Sequence, residues 1–354
     1  MKEEIQLSDR KRQLLLTTVE SYIENALPIT SEKVQVNYFS TLSSATLRNE
    51  LNALEEMGFL KQLHTSGGRI PTTKAYRYFV NSIIEGKVFD KKDIEKVENK
   101  FTKRSSFLLE VLDDLAKKIN EIVEYPTFVS LKGYRDITIN AINIIPLITG
   151  DALVLMQTNA GIINNTFKIN SEITEKNCKD ASKFLTNNLA NKKIEDVLNN
   201  FDYYNKLFKE QIKYFDELFL NITNMLKEFA EKGTSILEKG NTTKLLSAPE
   251  YKDINSAKKF LNVLENEGKI KNIIQNIDDN TDSNIVFSIG DENKDEEISD
   301  YSIIKANYSL ANGIVASVGV LGPERMDYAK IASVLKYITD EINEQKGGND
   351  EGQK

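Results

Sequence analysis

The chain has 354 residues and is 40% hydrophobic, which is enough for two or three packed domains, and its net charge at pH 7 is −7. Its single cysteine (Cys178) and single histidine (His64) exclude an intrachain disulfide and the cysteine and two-histidine zinc motifs, so we predict neither an enzyme nor a bound cofactor or metal. The most apolar stretch, residues 140–157, is interrupted by polar residues, proline and glycine, and the first twelve residues are charged, so we expect a cytoplasmic protein that does not enter a membrane.

The negative net charge hides an uneven distribution of arginine. Five of the eight arginines lie within the first 77 residues. Arginine pairs bidentately with phosphate and with guanine, so its concentration at one end is compatible with nucleic-acid binding. Residues 1–85 nevertheless contain ten Lys plus Arg and ten Asp plus Glu, so charge alone gives a weak signal and the arrangement of residues has to decide.

The first 58 residues predict three short helices joined by tight turns. A helix from Ser8 ends before Pro28, and a short second helix follows it. The third helix begins at Ser43 or Ser44, both good N-cap residues, and stops at Gly58. This order and spacing predict a helix-turn-helix unit.

The third helix has an apolar face and a polar face. Leucines at positions 47, 51 and 54 recur at helical spacing and predict the buried face. On the opposite face, arginine can pair with guanine, asparagine with adenine, and alanine can contact a thymine methyl group. A polar face is more often merely solvated, and the helix alone leaves that alternative open. The predicted DNA-binding residues of this helix are Ser43, Ser44, Ala45, Arg48, Asn49 and Asn52.

A β-hairpin is predicted directly after this helix. Residues 59–63 and 69–71 supply its strands, and Gly67 and Gly68 supply the positive φ of the turn. A fourth helix, capped by Thr72 or Thr73, is expected to bury its base. Hydroxyls, backbone N–H groups and an arginine at such a wing suit phosphates or the minor groove, although the histidine is equally compatible with an exposed turn residue without a role. The predicted wing contacts are His64, Thr65, Ser66 and Arg69.

The residues after 87 predict helical segments and two groups of apolar strands. A helical pattern covers 94–123, and a final helix is predicted over 327–343. We expect one sheet that begins with the first group of strands and resumes with the second. Residues 346–354, rich in glycine and polar residues, predict a disordered tail. The predicted strands cover 137–145, 152–157, 162–169, 284–289, 302–309 and 313–320.

Residues 171–240 predict a mainly helical insertion between the two groups of strands. Cys178 lies on an apolar stripe with Leu185 and Leu189, so we interpret it as a core residue rather than a reactive thiol. A second apolar stripe alternates spacings of four and three residues, as a heptad seam does. On the residues alone, it either packs within its own domain or pairs with a second subunit. This stripe comprises Tyr204, Phe208, Gln211, Phe215, Leu218, Ile222, Met225 and Phe229.

Five segments of the chain resemble signature segments of the HrcA repressor family. Three lie in the predicted helix-turn-helix and wing, and two lie in the second half of the sequence, so the resemblance extends to the whole chain. The segments are SSATLRNE (43–50), LEEMG (54–58), HTSGGRIPT (64–72), GNTTKLLSAPEY (240–251) and VLGPERMDY (320–328).

The resemblance implies a function and partners. A homodimer would bind an inverted-repeat (CIRCE-type) operator on double-stranded DNA, repress chaperone operons and release them on heat shock, with a GroEL-type chaperonin as protein partner. It also favours the pairing of the 204–229 stripe with a second subunit, as a dimerisation seam. The alternative is a small-molecule sensor in which DNA binding is only the output.

The resemblance also implies an α+β multidomain architecture. An N-terminal winged helix-turn-helix would occupy residues 1–86. A discontinuous GAF-like α/β domain would occupy 94–170 and 241–345, interrupted by a mainly helical dimerisation domain at 171–240.

Overall fold

The computed structural model describes residues 7–62, 68–86, 107–132, 136–209, 215–231, 235–240, 242–266, 268, 270, 272–273, 277, 285–309 and 315–347. The described residues pack in three parts, which we call the head (7–86), the insert (136–231) and the body (107–132 together with 235–347). Helices and sheets occur together, which confirms the predicted α+β class.

The head contains the predicted three helices, two short strands and a fourth helix. Thr30 and Ser43 cap the second and third helices, because their side chains accept hydrogen bonds from the backbone N–H groups of Lys33 and Thr46. Gly58, with a φ of 78°, follows the end of the third helix in the left-handed conformation that glycine favours. The elements are α1 (Asp9–Asn25), α2 (Ser31–Asn37), α3 (Ser44–Glu56), β1 (Leu60–Gln62), β2 (Arg69–Pro71) and α4 (Thr73–Gly86).

The remaining elements alternate between the body and the insert. The body begins with one helix and one strand, the insert follows, and the chain then returns to the body. In chain order the elements are α5 (Leu108–Val123), β3 (Thr127–Lys132), β4 (Ile139–Pro146), β5 (Asp151–Thr158), β6 (Gly161–Lys168), α6 (Glu175–Leu189), α7 (Ile194–Asn199), α8 (Phe201–Lys209), α9 (Phe215–Glu231), β7 (Ser235–Glu238), α10 (Thr242–Leu245), α11 (Ile254–Glu265), β8 (Ile285–Ile289), β9 (Tyr301–Ser309), β10 (Val315–Pro323) and α12 (Tyr328–Gly347).

The body is built on a five-stranded antiparallel sheet with the strand order β7-β3-β10-β9-β8. Side chains alternate between its two faces, so each face needs its own cover. Helices α5 and α12 pack on one face. On the other face, Phe128 and Tyr301 pack in a cluster with Phe260 of α11. The sheet is therefore buried on both sides.

The single sheet predicted from the sequence is wrong, because the two groups of strands form separate sheets. Strands β4, β5 and β6 form their own three-stranded sheet, and α6 packs along the edge strand β4. Ser182 and Thr186 of α6 accept hydrogen bonds from the backbone N–H groups of Ile144 (2.8 Å) and Ile142 (2.9 Å), which satisfies part of that edge. Strands β3 and β7, which the sequence patterns do not predict, complete the sheet of the body instead.

The predicted dimerisation seam also needs correction, because its described side chains are covered within one chain. It is divided between α8 and α9, which pack against each other and against α7. Phe201 of α8 stacks on Phe219 of α9 with 5.6 Å between the ring centroids. The described part of the stripe therefore lies between the helices of the insert. The seam residues with described side chains, each at most 8% exposed, are Tyr204, Leu218, Ile222, Met225 and Phe229.

The structure also bears on Cys178, the C-terminal helix and the remaining seam positions. Cys178 is fully buried on α6, as predicted, and burial raises the pKa of its thiol. Helix α12 extends to Gly347, two residues into the predicted tail, and residues 348–354 lie outside the described part. The seam positions Phe208, Gln211 and Phe215 have no described side chains. No helix within the described ranges is long and apolar enough to cross a membrane.

Candidate nucleic-acid interface

Helix α3 has the two faces that the sequence predicts. Leu47, Leu51 and Leu54 are completely buried in the core of the head. On the opposite face Ala45, Arg48 and Asn49 are exposed in the structure that contains head, insert and body. The body therefore leaves these three side chains accessible. Their chemistry suits a major groove, where arginine, asparagine and alanine can read base edges.

Ion pairs with α1 hold α3 in place. The Arg10 guanidinium donates to the Glu50 carboxylate, with 2.9 Å between Nε and Oε1, and Lys11 Nζ lies 3.6 Å from the second carboxylate oxygen. Glu50 is more buried than either cation, so the pairs are partly screened from solvent. These contacts bind α3 to α1 beside its buried leucines and leave Arg48 out of the pairing.

The first residues of α3 form hydrogen bonds within the head. Ser43 is the N-cap, and its Oγ lies 3.1 Å from the Thr46 amide nitrogen. Ser44 Oγ donates to Ser31 Oγ at 3.1 Å, which joins α3 to the first residue of α2. Of the predicted contacts at this end, Ser43 is exposed and Ser44 is half-buried.

Arg69 differs from the prediction, because its guanidinium is directed into the head. It is only 8% exposed, its Nε donates to Glu55 Oε2 at 2.9 Å, and its Nη2 donates to Asn52 Oδ1. The predicted wing residue is therefore a link between β2 and α3. Asn52, half-buried in the same link, is less available to a base than Ala45 or Arg48.

Gly68 also has a different role from the predicted one. Unlike Gly58, it does not have a positive φ. A Cβ atom at this position would, however, lie 2.8 Å from the Ile29 carbonyl oxygen. Ile29 and Arg69 exchange two backbone hydrogen bonds of 2.9 Å. Glycine is thus required by the close approach of the loop before α2 to β2. The predicted wing contacts His64, Thr65 and Ser66 lie outside the described residues, so they stay predictions.

Charge around the exposed face is mixed. Glu32 in the first turn of α2 has a lowered pKa, chiefly because its carboxylate accepts a hydrogen bond from its own backbone N–H and a further one from Thr30. The positive charge of Arg48 contributes to the same lowering. Positive and negative side chains are therefore mixed around this surface, in keeping with the balanced charge of the first 85 residues. The exposed side chains and their geometry carry the assignment.

The C-terminal part of the chain matches a known family. The model of the "HrcA protein C terminal domain" matches residues 109–332. Proteins named "Heat-inducible transcription repressor HrcA" align over almost the full length. Those of Thermoanaerobacter sp. (strain X514) and Caldanaerobacter subterraneus subsp. tengcongensis are 34% and 33% identical, and each alignment covers 95% of this chain and 96% of the relative.

A solved structure shares the fold. A crystal structure described as that of a hypothetical protein superposes with a TM-score of 0.78 at 21% identity. The superposition covers 96% of this chain and 98% of that one. At this identity the likeness shows a shared fold alone.

Proposed function

Because the chain belongs to the HrcA family of heat-inducible transcription repressors, we propose that it represses heat-shock genes by placing the exposed face of α3 in the major groove of an operator. Negative regulation of heat-shock genes follows from the family. The mode of DNA binding is our proposal, in which the head acts as a winged helix-turn-helix with β1 and β2 as the strands of its wing.

One observation carries this proposal: Ala45, Arg48 and Asn49 are exposed on one face of a helix whose other face is the core of the head. A merely solvated face would not need to be held rigidly. Here α3 is fixed by Glu50 to α1 and by Glu55 to β2, so the exposed side chains are presented on a preorganised support.

We propose domain boundaries that follow the observed packing. The winged helix-turn-helix comprises residues 1–86, as the sequence predicts. The GAF-like domain corresponds to the body, residues 107–132 and 235–347, and the inserted domain to residues 136–231. The boundaries differ from the predicted ones because β4, β5 and β6 pack with the helices of the insert rather than with the sheet of the body.

A dimer is proposed because an inverted repeat is read most simply by a two-fold symmetric protein. Since the described side chains of the 204–229 stripe are buried, we place the contact on another surface of the insert. The turn between β4 and β5 exposes three neighbouring apolar side chains, Ile145, Leu147 and Ile148, and Ile148 is fully exposed. The turn is ordered by a 2.7 Å hydrogen bond from the Leu147 amide to the Asp151 carbonyl oxygen. We assign this tip to the contact with a second copy of the chain.

Replacing Ile148 with serine is expected to shift the chain from dimer to monomer. Each dimer buries this side chain twice, so the loss is about 3 kcal/mol or more of association free energy. Sedimentation equilibrium across a concentration series measures it. Ile254→Ser removes an equally apolar, exposed side chain from the body and serves as the control. If the two variants have the same dimer dissociation constant, the tip is not the contact.

The function itself is tested by footprinting the purified full-length protein on the DNA upstream of its own gene and of chaperone operons. We expect protection of two half-sites related by a two-fold axis, at a spacing of whole helical turns. Protection of a single asymmetric site, or none at a salt concentration that permits specific binding, contradicts the proposal.

We also propose a GroEL-type chaperonin as a partner that returns heat-inactivated repressor to its DNA-binding form. The family resemblance supports this partner, and it requires a repressor of marginal stability. After mild heating, DNA binding should recover further with chaperonin and ATP than without them. Equal recovery in both cases would remove the chaperonin from the scheme.

A further inference from the structure

The head is joined to the body by residues of two segments that the DNA-binding face does not explain, 240–251 and 320–328. Arg325 lies between them. Its guanidinium pairs with the Glu250 carboxylate through Nε and through Nη2, the latter at 3.2 Å. Its third nitrogen, Nη1, donates to the carbonyl oxygen of Ile23 in the head at 2.6 Å. One side chain of the 320–328 segment therefore binds both the 240–251 segment, through Glu250, and the head, through Ile23.

The atom that Arg325 reaches is at the end of α1. Ile23 lies in the last turn of that helix, where backbone carbonyl groups lack partners within the helix. A positive charge is favourable at this end of a helix dipole. The side chains of Arg325 and Glu250 are only 15% and 25% exposed, so the pair is partly withdrawn from solvent and loss of one partner leaves the other uncompensated.

The neighbouring residue, Glu324, contacts a second helix of the head, α4. Thr73 Oγ1, at the start of α4, donates to Glu324 Oε1 at 2.5 Å. One turn later, Arg77 donates to the carboxylate of Glu292, with 2.6 Å from Nε to Oε1, and to the carbonyl oxygen of Phe287 at 2.8 Å. Consecutive residues 324 and 325 thus hold α4 and α1 separately.

Close packing supports these polar contacts. Gly290, with a φ of 51°, lies against the Glu324–Thr73 bond, and a Cβ atom there would be 1.6 Å from Glu324 Oε1. The rings of Tyr76 and Tyr328 lie 5.9 Å apart across the junction. Contacts to two helices at separate points restrict rotation of the head as well as its separation from the body.

The junction does not cover the DNA-binding face. It uses the end of α1 and the first turns of α4, whereas Ala45, Arg48 and Asn49 on α3 remain exposed in the complete chain. The junction fixes the orientation of the head and leaves the DNA-binding side chains accessible. It is therefore suited to orienting the head rather than to blocking access to DNA.

We propose that Arg325 is a positioning residue for operator binding, which ties α1 to the body so that the two heads of a dimer face both half-sites at once. This inference rests on the proposed function. A head with a fixed direction brings the second half-site contact at a high effective concentration, whereas a freely rotating head loses that advantage without losing any contact to DNA. Release of this link then offers the body a means of lowering operator affinity without altering α3.

The test compares binding to a complete inverted repeat with binding to an isolated half-site, with full-length protein at one salt concentration. Arg325→Gln is expected to weaken binding to the complete repeat by about tenfold or more and to leave half-site binding unchanged. Arg325→Lys keeps the charge but lacks the planar fork, so an intermediate loss is expected. Lys259→Gln breaks an exposed ion pair with Asp300 in the body and should change neither affinity.

The outcomes separate the inference from the function on which it rests. If Arg325→Gln leaves both affinities unchanged, or lowers both in equal proportion, Arg325 has no positioning role. Should that variant fail to fold, as judged by its melting temperature, Glu250→Gln decides by the same comparison, because it weakens the pair and retains an acceptor oxygen. If the wild-type protein binds neither the complete repeat nor the half-site, the result contradicts the proposed function itself rather than the role of Arg325.

Discussion

Replacing Arg48 with alanine is expected to remove most of the operator affinity of the dimer. The side chain is exposed on the face of α3 opposite Leu47 and Leu51 and projects from a helix that is fixed at Glu50 and Glu55. A bidentate arginine contact to guanine contributes about 1–3 kcal/mol of discrimination, and a dimer makes it twice. The expected loss is therefore about 2–6 kcal/mol, or about 30-fold to more than 10⁴-fold in the dissociation constant.

The measurement is a titration of wild type and variant on the inverted repeat and on a scrambled repeat at the same salt concentration. Arg12→Ala is the matched control, because Arg12 is an exposed arginine on α1 of the same head and its removal changes the net charge equally. Loss of a phosphate contact alone would weaken binding to both DNAs alike. If Arg48→Ala and Arg12→Ala bind the repeat equally well, the assigned face does not read bases.

The helices of the head could be predicted because short-range patterns determine them. The caps Thr30 and Ser43, the leucines of α3 and the terminating Gly58 each act within one or two turns. The same helical periodicity that identifies the buried leucines also identifies Ala45, Arg48 and Asn49 on the opposite face. The exposed part of the candidate site therefore follows from the sequence.

Contacts between distant residues could not be predicted in the same way. Arg69 reaches Glu55 and Asn52 only because β2 folds back beside α3, so a residue that looks like a free wing cation is a link within the head. The contact of Arg325 with Ile23 spans 302 positions of the chain. Periodicity also cannot tell whether an apolar stripe packs within its own chain or against another, and the described side chains of the predicted seam lie in the interior of the insert.

The sheet of the body shows a further limit of sequence patterns. Its strand β3, Thr127–Lys132, contains two hydroxyl residues and a terminal lysine beside three apolar residues. It pairs with β7 and β10 rather than with the strands that follow it in the chain. Strand order depends on which partners satisfy each edge, and local alternation carries no information on that choice. A glycine within β10, Gly319, is explained only by this pairing.

Replacing Gly319 with alanine is expected to destabilise the body strongly. Gly319 lies opposite Phe128 in the register of β10 and β3, and the Phe128 ring covers it. A Cβ atom would lie 1.8 Å from Cζ and 2.0 Å from Cε2 of that ring. The ring is 1% exposed and packs in the cluster of Phe260 and Tyr301, so it has little room to move. Overpacking of this kind costs about 1–3 kcal/mol, and the severity of the overlap favours the upper end.

A double-mutant cycle distinguishes this clash from a general effect on the strand. Phe128→Ala alone should cost about 3–5 kcal/mol, because it empties a large site in the core. In the double variant the added methyl group enters that space, so the combined loss should be smaller than the sum of the two single losses. Denaturant unfolding of the four proteins gives the coupling, and Gly268→Ala, where the nearest atom lies 3.8 Å from the added Cβ, should be nearly neutral. Additive losses would mean that Phe128 is not what requires glycine at position 319.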